Sequence, residues 1–141
     1  KQLTASGMRS GNAASFIRQA QVQAMSGEPF AGSVPPGGYG VYVELCAVPP
    51  CELTLFADQN ANFLMEEPAE VVQTITLGTA VTVDAISTGN PSMILFRPPS
   101  GAACFNNVCS DAGSAIITFG ARGTAVQQDL RVNQISGQIS L

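Results

Sequence analysis

The sequence contains no histidine, and its single lysine is the first residue. Without histidine the chain cannot build a Ser-His-Asp or Cys-His arrangement, and Lys1 is a poor partner for a Ser-Lys dyad. Charged residues make up only 11% of the chain, against about 25% in an average soluble domain. We therefore predict a protein that is not an enzyme and whose surface is polar without being charged.

Basic residues are also too few and too scattered to indicate a nucleic-acid partner. The net charge is −4, and Arg97, Arg122 and Arg131 lie far apart in the sequence, whereas phosphate binding normally requires a basic patch. No apolar run reaches the roughly 18 residues of a transmembrane helix, and the layout of a signal peptide is missing at the start. Because the chain begins with Lys1 and not with Met, we expect that a preceding segment has been removed.

Cysteine is scarce but regularly spaced. The four cysteines form two local pairs, Cys46 with Cys51 and Cys104 with Cys109. Of the three possible connectivities, two local disulfides are the simplest, and a four-cysteine zinc site is the alternative. Local disulfides would each hold a turn and would indicate an oxidising compartment outside the cytoplasm.

One segment of the chain has a helical pattern. Between residues 10 and 27, apolar side chains recur at three-four spacing and Gly27 is a natural stop. The narrow, alanine-rich stripe predicts close packing against a sheet. Its members are Ala13, Phe16, Ile17, Ala20 and Ala24.

The chain after residue 38 has the pattern of strands and turns. Prolines and glycines interrupt residues 28–38, which predicts a connecting loop. Beyond it, seven or eight short segments alternate apolar and polar residues between turn signals, which is typical of a sandwich or a strongly bent sheet. The segments begin near residues 39, 52, 71, 80, 92, 115, 126 and 139. We predict a single α+β domain, with the helix in residues 1–27 packed on an antiparallel β-rich part in residues 28–141, and with the last strand held by pairing.

Four stretches resemble the globular domains of bacterial type IV pilins and of the H-type minor pseudopilins of type II secretion. They are FIRQAQVQAMSG at residues 16–27, VPPGGYGVYV at 34–43, LTLFADQNAN at 53–62 and IITFGARGTAVQQDLRVNQISGQISL at 116–141. The resemblance runs in order from about Ser15 to Leu141, and its closing stretch is the most specific part.

The resemblance implies a structural subunit that assembles through its N-terminal helix. The assembly residues would be those of the stripe, Ala13, Phe16, Ile17, Ala20 and Ala24. In that family the first half of the helix is a membrane segment behind a leader that a prepilin peptidase removes; this half is not among the 141 residues. Subunits wait in the inner membrane, are extracted by an ATPase-driven machine and pack their helices into a filament core. The implied partners are other subunits of the filament, the assembly machinery and the membrane. An unrelated secreted β-sandwich binding module is the alternative.

An acidic stretch provides the candidate metal ligands. Asp58, Asn60 and Asn62 place oxygen side chains at alternate positions, and Glu66 could add a carboxylate for calcium. The stretch departs from an EF-hand loop, however, so a plain turn stabilised by Asp and Asn side chains is the alternative. Asp58, Glu66, Glu67 and Glu70 could also supply the carboxylate pair of a glycosidase, but acidic residues solvating a loop are the simpler interpretation.

Two further features suggest a ligand-capturing subunit. Arg122 lies where some DNA-uptake minor pilins carry basic residues, and Arg97 and Arg131 are the possible helpers. Tyr39 and Tyr42 could stack against a sugar or a base if they were exposed, although packing within the fold is the simpler expectation.

Overall fold

The computed structural model describes residues 5–62, 64–65, 69–109 and 113–141, with side chains described from residue 13 onward. Within these residues the chain forms one α-helix and two antiparallel sheets, which confirms the predicted α+β class. The elements are α1 (Ala5–Ser26), β1 (Tyr39–Val43), β2 (Glu52–Ala57), β3 (Val71–Thr76), β4 (Val81–Ile86), β5 (Ser92–Phe96), β6 (Ala103–Phe105), β7 (Ser114–Ala121), β8 (Gln127–Asn133) and β9 (Ile139–Ser140).

Helix α1 begins earlier than residue 10 and ends where the sequence predicts. Gly27 follows it with a positive φ of 70°, a conformation that costs glycine little. The amide of Glu28 donates to the carbonyl oxygen of Gln23 at 3.0 Å and the amide of Gly27 to that of Ala24 at 3.4 Å. This pair of hydrogen bonds is a Schellman motif, which satisfies two of the carbonyl groups left open at a helix end.

The predicted apolar stripe is the buried face of the helix. Ala13, Ile17 and Ala20 are completely buried, and Phe16 and Ala24 nearly so. The helix contacts strands of both sheets, so the stripe closes a single core shared by the two. Burying a side chain of the size of Phe16 or Ile17 contributes about 1.5–3 kcal/mol, and the small alanines between them allow the close approach.

The two sheets have different orders. The five-stranded sheet runs β3-β2-β1-β5-β6 and the four-stranded sheet runs β4-β7-β8-β9. Eight of these strands coincide with predicted segments. The short strand β6, which pairs with β5, was missed. The last strand, β9, pairs with β8 as predicted.

A backbone bridge joins the sheets beside the first cysteine pair. Cys46 and Val83 exchange two backbone hydrogen bonds, at 3.1 and 2.9 Å. Cys51 accepts a third, at 2.8 Å, from the amide of Leu77 just after β3. The loop between β1 and β2 therefore anchors both β3 and the outer strand of the other sheet.

A second, smaller apolar cluster lies on the other face of the five-stranded sheet. Leu55 and Ile94 belong to the main core, and their strand neighbours Phe56 and Leu95 belong to this cluster, because successive side chains of a strand point to opposite faces. A β-carbon at residue 40 would come within 2.7 Å of the Phe56 ring. The absence of a side chain at Gly40 therefore leaves room for this ring against β1.

The apolar alternation of Tyr39, Val41 and Val43 extends in the sequence to Leu45, but the buried row does not. Leu45 is 44% exposed. Strand β1 ends at Val43, and the amide of Leu45 donates to the Asn90 side chain at 2.8 Å. The chain has left the sheet at this point, so the alternation no longer applies.

Candidate functional site

Both predicted disulfides are present, Cys46–Cys51 and Cys104–Cys109. All four sulfurs are used in these bonds, which rules out the four-cysteine zinc site. The first disulfide stands at the junction of the two sheets, and Cys104 is part of the smaller apolar cluster. Disulfides persist in oxidising compartments, so the protein is periplasmic or extracellular.

The helix presents a second surface opposite its buried stripe. Val22 is 62% exposed and Met25 50% exposed, and Ser15, Arg18 and Ser26 are exposed around the same side of the helix. The structure therefore divides the helix into one face in the core of the domain and another open to solvent. The stripe residues, which the resemblance assigns to assembly, are covered by the domain itself.

Two polar helix residues tie the helix to distant loops. The guanidinium of Arg18 donates to the carbonyl oxygen of Ile139 at 3.1 Å. The side-chain amide of Gln21 donates to the carbonyl oxygens of Gly137 at 2.9 Å and Gly101 at 3.2 Å. Sequence reasoning missed both residues, since no periodicity marks a polar side chain whose partners are backbone carbonyls more than 75 residues away.

The acidic stretch forms a turn built on its own side chains. The amide of Asn62 donates to Asp58 Oδ1 at 3.2 Å and to Asn60 Oδ1 at 3.3 Å, and the amide of Leu64 donates to Asn62 Oδ1 at 3.0 Å. These bonds are those of the turn proposed as the alternative to calcium.

Two carboxylates of this region are buried, contrary to the interpretation that they solvate a loop. Asp58 is 0% and Glu70 2% exposed. The Glu70 carboxylate accepts a hydrogen bond from the amide of Gln59 at 2.8 Å, and the Asp58 carboxylate lies against Gly37. Their role is to bind backbone amides, which compensates for the cost of burying them.

The calcium hypothesis stays a prediction. Asp58, Asn60 and Asn62 lie together in the turn, and Glu66 lies outside the described residues. Among the residues that are described, no three acidic, cysteine or histidine side chains form a group able to hold a metal ion.

The two tyrosines have different surroundings. Tyr39 is 2% exposed, and its hydroxyl donates to the carbonyl oxygen of Glu28. Burial raises the pKa of the Tyr39 phenol above its usual 10.0, and the negative charge of Glu28 raises it further. Tyr39 thus fastens the loop after the helix to β1 and offers no surface for stacking.

Tyr42, by contrast, lines an open groove of about 550 Å³ on the face of the sheet away from the helix. Thr54, Met65 and the Cys46–Cys51 disulfide form other parts of its wall. Two exposed carboxylates, Glu44 and Glu52, also line it, and the Tyr42 hydroxyl donates to Glu44 Oε1 at 3.0 Å. The described lining contains no lysine or arginine, so the groove is negatively charged.

The three candidate DNA-binding arginines are exposed but lie on different elements. Arg97 follows β5 of the five-stranded sheet, Arg122 lies in the turn between β7 and β8, and Arg131 lies within β8. The face of the four-stranded sheet that carries Arg131 also carries Asp129, two residues before it in the same strand. DNA binding by these three arginines stays a prediction.

No protein-family model, curated protein or solved structure matches this chain. Among the described residues, no helix is both long enough and apolar enough to span a membrane.

Proposed function

We propose that this protein is a structural subunit of a filament of the type IV pilus or type II secretion pseudopilus kind. One observation carries the proposal: a 22-residue N-terminal helix closes the core of a β-domain with one face and keeps another face free. Such a helix can join the domain to its neighbours without unfolding it.

The free face has the composition that subunit packing requires. Val22 and Met25 offer apolar surface that is not needed in the core of the domain. Burial of apolar area drives most protein association. Subunits stacked side by side also avoid strong mutual repulsion when they carry little charge, and here only 11% of residues are charged.

The location supports the same proposal. Two local disulfides fit an oxidising compartment, and they strengthen a small domain that has to persist outside the cell.

The first test is the gene sequence immediately upstream of the codon for Lys1. We expect a short basic leader followed by about 20 apolar residues, the length of a membrane helix. An ordinary secretory signal in that place would contradict the proposal, because the helix would then have no membrane half from which assembly could start.

A second test uses the full-length protein in its own cells. Val22→Glu places a charge on the outer face of the helix, and Val48→Glu places the same charge in the Cys46–Cys51 loop, at an equally exposed valine (62% and 64%). We expect Val22→Glu to be lost from sheared filaments and Val48→Glu to be retained, with both domains equally stable. Equal incorporation of the two variants would exclude the outer helix face as the packing surface.

The groove at Tyr42 favours a second candidate function, that of a sugar-capturing subunit. A half-buried aromatic ring can stack on a sugar, and the carboxylates of Glu44 and Glu52 can accept hydrogen bonds from its hydroxyls, whereas a polyanion would be repelled. Titration of neutral oligosaccharides followed by NMR tests this. Binding should disappear in Tyr42→Ala and persist in Tyr39→Phe, and no perturbation of groove residues in the wild type would exclude this function.

A further inference from the structure

Within the described part of the chain, strand β3 is an edge strand without the usual protection. An edge presents unpaired amides and carbonyls, and proteins blunt it with charge, proline, short length or a covering segment. The other three edge strands, β4, β6 and β9, are either short or covered. Strand β6 has three residues and β9 has two, and Cys46 bridges the outer side of β4 at Val83. Strand β3 has six residues and, in the described part of the chain, only β2 as a strand partner.

The composition of β3 favours pairing. Its sequence is Val71-Val-Gln-Thr-Ile-Thr76, with no charge, no proline and no glycine, and five of the six residues are β-branched. Such residues prefer the extended conformation. Val72 and Ile75 pack partly against the core, whereas Gln73, Thr74 and Thr76 are exposed.

The direction of the backbone groups shows which residues are open to a partner. The amide of Leu77 donates to Cys51 and therefore points towards β2. Because amides alternate sides along an antiparallel strand, those of Ile75 and Gln73 also point towards β2, and those of Thr74 and Thr76 point away. The register shift in the ladder lies between Leu55 and Phe56, where Phe56 pairs with Val71, so the half of β3 from Gln73 to Thr76 is regular.

We propose that β3 pairs antiparallel with β3 of a second copy of this chain, which joins two five-stranded sheets into one continuous sheet. A pair centred on Thr74 brings the two Thr74 residues opposite each other, and their outward amides and carbonyls exchange two hydrogen bonds. Threonine pairs are favourable across strands. The chain as a whole is negatively charged, but the uncharged β3 brings no like charges together at the contact. This inference does not depend on the filament proposal.

The test compares the wild type with two substitutions at Thr74. Thr74→Pro removes the outward amide but no backbone hydrogen bond to β2, since proline is tolerated where an edge amide faces solvent. Thr74→Val retains the amide and, like Thr74→Pro, removes the hydroxyl contact with Thr54 at 3.4 Å. Sedimentation equilibrium should show a dimer for the wild type and Thr74→Val, and a monomer for Thr74→Pro. A wild type that stays monomeric at millimolar concentration, or a dimeric Thr74→Pro, would overturn the proposal.

Two further measurements keep the proposal testable if Thr74→Pro fails to fold. Thr74→Lys keeps the backbone intact and places two ammonium groups opposite each other, so the dimer should weaken at least tenfold at low salt and recover as salt screens the repulsion. Hydrogen exchange in the wild type should slow with protein concentration at the amides of Thr74 and Thr76, and remain constant at Gln73 and Ile75. A dimer insensitive to Thr74→Lys, or exchange independent of concentration, would contradict pairing through β3.

Discussion

The carboxylate of Asp58 occupies the space in which a β-carbon at Gly37 would lie. Gly37 is thus a glycine because of a close approach, and its partner is a buried acid that holds the turn after β2. The relationship links the proline- and glycine-rich loop before β1 to the acidic turn, and the amide of Gly37 also donates to the backbone oxygen of Asp58 at 3.1 Å.

Gly37→Ala should destabilise the domain. The added methyl group displaces the Asp58 carboxylate from its backbone partners, and overpacking of this kind costs about 1–3 kcal/mol. Urea unfolding measures the loss. In the Asp58→Ala background the same substitution should cost much less, because the obstructing carboxylate is gone. Equal losses in the two backgrounds would show that the clash between residue 37 and the Asp58 carboxylate is not the cause of the destabilisation.

Removal of either disulfide by a paired Cys→Ala change should lower the free energy of unfolding by about 2 kcal/mol, since each bond closes only a short loop. The two removals should cost similar amounts, because each bond joins one buried cysteine, Cys51 at 2% or Cys104 at 0% exposure, to one half-buried cysteine. Denaturant titration of the two double variants measures both losses. A loss far above about 2 kcal/mol for one pair would show that packing of its sulfurs, and not loop closure alone, stabilises the fold.

Stability should fall with pH above about 10 because of Tyr39. The folded protein holds the proton of this phenol to higher pH than the unfolded chain does. The unfolded state therefore binds fewer protons as pH rises past the ordinary tyrosine pKa of about 10, and the free energy of unfolding declines there. The stability that the protonated Tyr39 phenol contributes is fully present below that pH.

Tyr39→Phe provides the control for this pH effect. It should cost about 0.5–1.5 kcal/mol at neutral pH for the lost hydrogen bond to Glu28, and it should flatten the alkaline decline. Thermal unfolding of both proteins between pH 8 and about 11 follows the difference. An unchanged decline in the variant would assign the effect to other groups.

Asn106→Asp should destabilise the fold far more than Asn107→Asp. The Asn106 side chain accepts from the amide of Met93 at 2.7 Å and donates to the carbonyl oxygens of Thr88 and Pro91 at 3.0 and 3.1 Å. An aspartate carboxylate at this position has no N–H group to donate and faces two carbonyl oxygens. The free energy of unfolding should therefore fall by about 1–3 kcal/mol.

Asn107 is the matched control for Asn106. Both residues have a positive φ, 48° and 72°, and aspartate tolerates this conformation as asparagine does. Asn107 is exposed, so the same charge there should change the melting temperature little. Similar melting temperatures for the two variants would show that the hydrogen bonds of the Asn106 side chain do not stabilise the fold.

The Asp58 turn should show no heat and no thermal shift on titration with calcium, since backbone amides already bond the oxygens of Asp58, Asn60 and Asn62. A saturable heat that disappears in Asn60→Ala would establish the metal site instead.

Local patterns were enough to predict the helix stripe, the disulfide pairs and most strands. The stripe from Ala13 to Ala24 repeats with the period of a helix, and each cysteine has one near neighbour. Strand β6 was not predicted because Ala103-Cys-Phe105 is too short to show an alternation of apolar and polar residues. It is a strand because it pairs with β5. The burial of Asp58 and Glu70 also could not be predicted, because their partners are backbone amides that only the folded loops bring near. The groove at Tyr42 could not be predicted for the same reason, since it depends on how the disulfide loop lies over the sheet.

The hydrogen bond from Arg18 to Ile139 spans 121 positions of the chain, so the helix cannot complete its contacts before the end of the chain has been made. The partners of the helix stripe include β7 and β8, which leave the ribosome long after the helix does. Until they arrive, Phe16 and Ile17 have no complete core to enter, and contacts between distant segments form slowly. The apolar stripe of the helix therefore stays uncovered through most of the synthesis of the chain, and uncovered apolar surface of this kind makes an incompletely folded chain prone to aggregation.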